Sequence, residues 1–525
     1  MSQKPPVNKW LVAAALGFGA LMSTIDASIV NVAMPQIRGS VGATVEEITW
    51  VSTGYMIAMV LIMPLTAFFG RLFGQRRTYL VCLGLFVLGS ALCGLAGSLT
   101  TLVVFRVLQG LGGGALQPTQ QAILRQTFPL KEQGMAMALF AIVITLGPAV
   151  GPTLGGYIID HWHWSWIFFI NLPIGILGIY MVSAFVHEDD GIVAANRTLA
   201  DKQRKNIDWQ GISLMTLGLS TLIYVLEEGN RNDWFESRVI SALLAVAVVS
   251  LAAFVIRELT ALAPAVDLRL FSDSVFAAGT LIGAVMFAIL MAGMFLLPIF
   301  MQEILGFTAT QSGIALAPRV LVMLVAMPVV GRLYNHVQPR IFVGVGILFN
   351  FLGCWELGRL TLDAGSGDII FGIMIQGLGF AFMMIPLTTA ALSNVPRHRL
   401  ADAAGLNSLI RQLGGAIGLA VFASLLGTYA TQARAGIGAH VTETNPLVQQ
   451  RLGAIMAALV ARGIDAMSAR ATALASIMGS TMRESMVLSF DRIFIYTGIL
   501  LLLVLPLLLF LKTRAIGPAA EMHPE

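Results

Sequence analysis

From Trp10 almost to Leu511, runs of about twenty apolar residues alternate with short polar breaks, and each run can cross a ~30 Å hydrocarbon core as a helix. The pattern predicts fourteen membrane-crossing helices, over 10–34, 48–70, 78–98, 100–123, 135–159, 166–186, 209–227, 238–257, 274–302, 311–332, 340–361, 368–392, 404–428 and 487–511. The first run is long and no small-residue cleavage site follows it, so it reads as a retained helix rather than a signal peptide. Asp26 lies inside that run. A carboxylate at such depth is costly without a task, which makes it the first candidate for a proton or ion carrier.

The second half of the chain echoes the first at a nearly constant offset. Met63-Pro64 recurs as Met327-Pro328, Pro35 just after the first helix as Pro298, and Arg76 as Arg340. Gln109-Gly110-Leu111-Gly112 recurs as Gln376-Gly377-Leu378-Gly379, and Gly147 as Gly414. An ordered series of matches about 263–267 residues apart marks a duplication. Helices 1–6 then correspond to helices 9–14, and the helices at 209–227 and 238–257 are an insertion. The expected fold is all-α and integral to the membrane, six plus two plus six, with two six-helix bundles as a parallel repeat. The expected units are 1–186, 187–273 and 274–525.

Composition agrees: 57% of residues are hydrophobic, 11% are charged, and mean hydropathy is +0.82. An even number of crossings puts both termini on one side, and the excess of Lys and Arg in the loops of that side predicts that it is cytoplasmic. Lys202, Arg204 and Lys205, in the polar loop 187–208, belong to this bias. The net charge of +4 follows from it and gives no reason to expect nucleic-acid binding. Cys82, Cys93 and Cys354 fall inside predicted helices, without metal-ligand spacing or a disulfide framework, and read as packing residues. His161 and His163 lie in an interfacial aromatic run and lack further ligands, so neither metal nor cofactor is expected.

Three motifs carry a resemblance that covers nearly the whole chain. Helix 1 carries Ile25-Asp26-Ala27-Ser28-Ile29-Val30-Asn31-Val32-Ala33-Met34-Pro35. Helix 4 carries Arg106-Val107-Leu108-Gln109-Gly110-Leu111-Gly112-Gly113-Gly114, and helix 5 carries Gly147-Pro148-Ala149-Val150-Gly151-Pro152-Thr153-Leu154-Gly155-Gly156. The sequence resembles the fourteen-helix drug:proton antiporters of the major facilitator superfamily, EmrB type. The resemblance implies proton-driven multidrug efflux from a Gram-negative inner membrane, with an EmrA-like periplasmic adaptor and a TolC-like outer-membrane channel. Protons and lipophilic small molecules are then the ligands, the bilayer the surroundings, and no enzymatic activity is expected.

Physical reasons for these residues stand beside the resemblance. Burial disfavours charge on a carboxylate and a nearby guanidinium favours it, so moving the two together or apart can release or load a proton. Asp26 and Arg106 sit at matching depth, about 10 Å below the outer surface at ~1.5 Å per residue, and are the candidate pair; the bland alternative is a static ion pair that orders helices 1 and 4. The helix 5 residues Gly147, Pro148, Gly151, Pro152, Gly155 and Gly156 suit a hinge or gate at the boundary between the halves, or a rigid kinked surface. The cytoplasmic loop Ala67–Arg77 aligns with the superfamily's gating loop, retaining Gly74, Arg76 and Arg77, but Arg71 stands where the resemblance implies an Asp. A carboxylate latch of the usual form therefore cannot operate there.

Candidate cavity residues are Asn31, Tyr55, Gln109, Gln117, Met294, Arg319, Gln376 and Arg411. Arg319 falls at the repeat position of Tyr55, and a second cation in the cavity would favour acidic over cationic amphiphiles. Arg411 can also be read as snorkelling to the cytoplasmic surface. The Gly-rich string on helix 4 lacks the GK[ST] ending of a phosphate loop, which disfavours an ATP-driven pump. The outer loop 429–486 contains amphipathic helical segments, Pro446–Gly463 and Ala466–Arg483, and is the natural docking surface for a partner. The alternatives are an exporter of fatty acids or another weak acid and, in a different class, a non-transporting receptor or structural subunit.

Overall fold

A computed structural model describes residues 8–188, 200–201, 203, 207–261, 263–442 and 444–511; Lys202, Arg204 and Lys205 lie outside the described residues. Fourteen helices are long and apolar enough to cross a membrane, and no strand occurs among the described residues. They are α1 Lys9–Val41, α2 Glu46–Phe73, α3 Gln75–Gly94, α4 Leu99–Thr127, α5 Leu130–His161, α6 Trp166–Phe185 and α7 Trp209–Glu228. The series continues with α8 Arg238–Thr260, α9 Ser274–Ile304, α10 Gln311–Leu333, α11 Pro339–Leu357, α12 Ser366–Ala391, α13 Arg397–Gly438 and α14 Ala466–Phe510.

The helix ends follow local chemistry. Ser98 and Thr101 cap α4 reciprocally, Thr308 and Gln311 do the same for α10, and the Asp273 carboxylate accepts from the N–H groups of Val275 and Phe276 at the start of α9. Gly42 closes α1 at φ 66°, a left-handed conformation that glycine adopts without strain. Pro35 lies inside α1, not just beyond it, because the helix continues to Val41. A proline forfeits one backbone hydrogen bond there, a loss that packed membrane helices tolerate. Its repeat mate Pro298 is likewise inside α9, just before a π-helical turn at Phe300–Ile304.

The duplication is visible as packing. α1 lies on α5 and α9 on α13; α2 lies on α4 and α10 on α12; α3 lies on α4 and α11 on α12. The halves meet through α5 against α10 and α2 against α13, each helix paired with the mate of the other. Individual glycines repeat the pattern. Gly89 on α3 faces Gln109 on α4, and Gly353 on α11 faces Gln376 on α12. The inserted α7 packs on α2 and α13, with Trp50 stacked on Tyr224 at 5.5 Å and Thr49 donating to Glu228 at 3.0 Å.

Calling the end where α1 begins basal and the other distal, the polar ties between halves gather at the basal end. Arg71 pairs with Asp402, Gln126 donates to the Arg397 carbonyl at 3.3 Å, and Asn335 donates to the Lys131 carbonyl. Gly134 of α5 and Gly331 of α10 bring their backbones into direct contact nearby. At the distal end, the region 429–486 is not a loop. α13 runs unbroken to Gly438, a short helix spans Pro446–Ala461, and α14 starts at Ala466. Neither Leu400–Gly438 nor Ala466–Leu503 contains a proline, so nothing ends the helices at the hydrocarbon edge.

Candidate functional site

Five helices converge on one carboxylate. Asp26 on α1 has 0% exposure, and its Oδ2 accepts from Arg106 Nη1 of α4 at 2.6 Å. Its Oδ1 accepts from Gln109 Nε2 at 2.8 Å and from Asn171 Nδ2 of α6 at 3.0 Å. Arg106 is held on every side: Nε donates to the Val51 carbonyl at 3.2 Å, Nη1 also donates to Gln109 Oε1 at 2.9 Å, and the guanidinium lies 4.0 Å from the Tyr55 ring centroid. Asn171 further donates to Ser90 Oγ of α3 at 3.0 Å, whose hydroxyl donates to the Phe168 carbonyl at 2.8 Å.

The local sequence explains the convergence. Arg106 and Gln109 are three residues apart on α4 and so share a face. The glycines that follow let the α4 backbone approach its neighbours: a Cβ at Gly110 would lie 2.5 Å from the Tyr55 carbonyl oxygen, and one at Gly112 would lie 2.5 Å from that of Cys82. Charged pairs persist inside a membrane bundle only when paired and hydrogen-bonded in this manner. The arrangement holds a charge, and it can exchange a proton if Arg106 or the amides turn away.

Gly147, Gly151 and Gly155 of α5 face α1 rather than the other half of the molecule. A Cβ at Gly147 would lie 2.7 Å from the Thr24 backbone carbon, Gly151 abuts Ser28, and a Cβ at Gly155 would lie 2.7 Å from an Ile29 side-chain carbon. Ser28 Oγ donates to the Gly147 carbonyl at 3.2 Å. The backbones come this close because every fourth residue lacks a side chain. Pro148 and Pro152 lie inside the helix, Pro152 exposed, and Gly156 faces open space. The stripe thus couples α5 to the helix that carries Asp26.

The expected loop Ala67–Arg77 is helical except at Gly74, and Arg71, in the last turn of α2, donates from Nε to Gln203 Oε1 at 2.9 Å and pairs through Nη1 with Asp402, in the first turns of α13. The usual carboxylate is missing, but the opposite arrangement is present: the cation is at the end of α2 and the carboxylate at the start of α13. Gly74, at φ 91°, lies against the Glu188 carboxylate, which accepts from the Arg76 N–H at 3.0 Å. The Arg76 guanidinium donates to the Ser183 carbonyl, and Arg77 is exposed.

The cavity candidates divide. Tyr55 and Gln109 are buried in the Asp26 cluster, while Asn31 is exposed and its Oδ1 accepts from Ser52 at 3.2 Å. Gln117 and Met294 are half-buried. Arg319, Gln376 and Arg411 are buried in the second half; Arg319 lies 4.9 Å from the Phe380 ring centroid, and Arg411 lies 5.1 Å from that of Phe287. Arg411 therefore packs inward on α9 instead of reaching the surface. Sequence reasoning missed Asn171, Ser90 and Asp402. Asn171 was findable as a lone polar residue at the start of an apolar run, the same signal that marks Asp26. Among the described residues no cluster of ligating side chains suits a metal ion.

The profile described as Major Facilitator Superfamily matches residues 16–419. The multidrug export protein EmrB of Haemophilus influenzae is 34% identical over 440 residues, covering 84% of each chain. The fatty acid resistance protein FarB of Neisseria gonorrhoeae is 35% identical over 416 residues, covering 79% of this chain and 80% of its own. Among solved structures, the human organic anion transporter MFSD10 superposes with a TM-score of 0.60 at 13% identity, over 95% of this chain and 100% of its own. The proton:xylose symporter XylE gives 0.58 at 12% identity, over 94% of both chains.

Proposed function

Because the chain belongs to the major facilitator superfamily, as an EmrB-type transporter, we propose that it exports amphipathic, lipophilic compounds in exchange for protons. Asp26 is the proton carrier and Arg106 its counter-charge. The observation that carries this reading is the buried cluster itself: a carboxylate gathered by three donors from two other helices, with 0% exposure. Protonation removes the charge that holds Arg106, Gln109 and Asn171 in place, so it is linked to rearrangement of α1, α4 and α6.

In this reading 1–186 and 274–525 rock against each other by alternating access, with 187–273 spanning their side. The basal end is cytoplasmic, as are both termini, in agreement with the loop charges. The basal ties through Arg71–Asp402 and Gln126–Arg397 then describe a conformation closed to the cytoplasm. The distal helices are periplasmic and take an adaptor, which leads to an outer-membrane channel. A narrower reading, export of fatty acids or other weak acids, is favoured by the buried, carboxylate-free environment of Arg319.

The test is proton release from the purified protein on adding a panel of lipophilic cations, weak acids and fatty acids, for wild type and Asp26→Asn. Release from wild type that disappears in the variant is expected. Equal release from both would remove Asp26 from the coupling role.

A further inference from the structure

The second half contains a cluster that mirrors the Asp26 site but lacks the carboxylate. Gln376 is the mate of Gln109, and Arg319 stands where α2 has Tyr55. On α9, the position matching Asp26 at the Pro35–Pro298 offset is Ile289, with 0% exposure. Gln376 rests on Gly353 as Gln109 rests on Gly89, and its Nε2 donates to Cys354 Sγ at 3.4 Å. The framework is retained with its anion deleted.

What remains is unbalanced. Arg319 is 4% exposed and always charged, yet its Nη2 has no hydrogen-bond partner and neither has Gln376 Oε1. No carboxylate pairs with Arg319 among the described residues, and its guanidinium lies 4.9 Å from the Phe380 ring centroid. A buried, unpaired guanidinium is expensive in a membrane bundle. The neighbouring α9 presents a glycine here: a Cβ added at Gly293 would lie 3.6 Å from Arg319 Nη1 and 3.9 Å from Gln376 Oε1, so both groups face a position that carries no side chain. Rotating the Gln376 amide turns a second donor towards the same point, as Gln109 already offers one to Asp26.

We propose that Arg319 and Gln376 bind the carboxylate of a monoanionic amphiphile, which completes the second cluster as Asp26 completes the first. The ligand's acid group takes the planar donors of Arg319 and the turned amide of Gln376. This deepens the export reading by assigning a substrate class, and it rests on that reading only for the direction of movement.

The experiment is equilibrium binding of radiolabelled dodecanoate and of dodecyltrimethylammonium to the full-length protein in nanodiscs, with empty nanodiscs subtracted. Arg319→Gln is expected to weaken dodecanoate binding by about tenfold or more while leaving the cation unchanged, as loss of a buried charge partner requires. Arg319→Lys keeps part of the binding, which shows that the fold is intact. Binding is read at equilibrium without a proton gradient, so a failed antiport assay and a failed carboxylate site give different results. The proposal is overturned if Arg319→Gln binds dodecanoate like wild type, if it loses both ligands alike, or if chloride occupies the site and dodecanoate does not bind.

Discussion

At the scale of single residues, the Asp26–Arg106 contact is a commitment rather than a source of stability. Removing one member of a buried pair leaves the other uncompensated, at about 3–5 kcal/mol. Arg106→Gln alone should therefore lower the thermal unfolding midpoint more than the double change Arg106→Gln with Asp26→Asn does; a double variant less stable than either single one would contradict this account. The glycines on α5 make a sharper contrast. Gly147→Ala sets a methyl group against the Thr24 backbone and should destabilise by about 1–3 kcal/mol. Gly156→Ala meets nothing within 4 Å and should be neutral or slightly stabilising, as Ala for Gly in a helix usually is. Thermal melts of the two variants separate the packing role from any general intolerance of the motif. These residues were unequally legible. A lone Asp or Arg stands out in an apolar run, whereas Gln109 reads equally well as a cavity contact and as a carboxylate donor. Only the three-residue spacing from Arg106, seen with α1 beside it, decides for the second.

At the scale of elements, hydropathy located every crossing because burial in hydrocarbon admits few polar residues, and the polar breaks fall where the chain turns. It could not locate the ends of α13 and α14. Residues beyond the hydrocarbon face water, where alanine-rich sequence remains helical but is no longer strongly apolar, so the window that detects a crossing stops early. The end of α2 was hidden for another reason: a sequence pattern keyed to an Asp at position 71 does not report a carboxylate that lies on α13, at Asp402. The reversed pair makes a direct prediction. Arg71→Glu should set two carboxylates against each other and open the basal face, while Arg71→Glu with Asp402→Arg should close it again. Because Cys82, Cys93 and Cys354 are buried, a Gln126→Cys reporter at the basal junction can be followed by maleimide labelling. Faster labelling in the single variant and a return to the starting rate in the double one are expected. Equal rates in all three proteins would reduce the pair to a surface contact.

At the scale of the whole molecule, the repeat builds two halves with the same packing, and in the proposed reading the differences between them carry the specificity. One half keeps a carboxylate within its donors and the other presents donors without one. A transporter of this size needs no more than its membrane helices to alternate access, yet α13 has 42 residues and α14 has 45. At ~1.5 Å per residue each is about 60 Å long, roughly twice the hydrocarbon thickness. The projecting part carries large apolar side chains in the open: Leu447 is 73% exposed and Met467 is 85% exposed, with Met478 and Met482 on the same helix as Met467. In the proposed reading this exposed apolar surface is where the adaptor docks. Replacing residues 439–465 by a short Gly-Ser linker removes the short helix Pro446–Ala461 and leaves every crossing in place. That variant should keep substrate-triggered proton release in detergent but lose co-purification with a periplasmic adaptor. The two readouts are independent, so retention of the adaptor would move the docking surface elsewhere, and loss of proton release would make the projection part of the transport machinery.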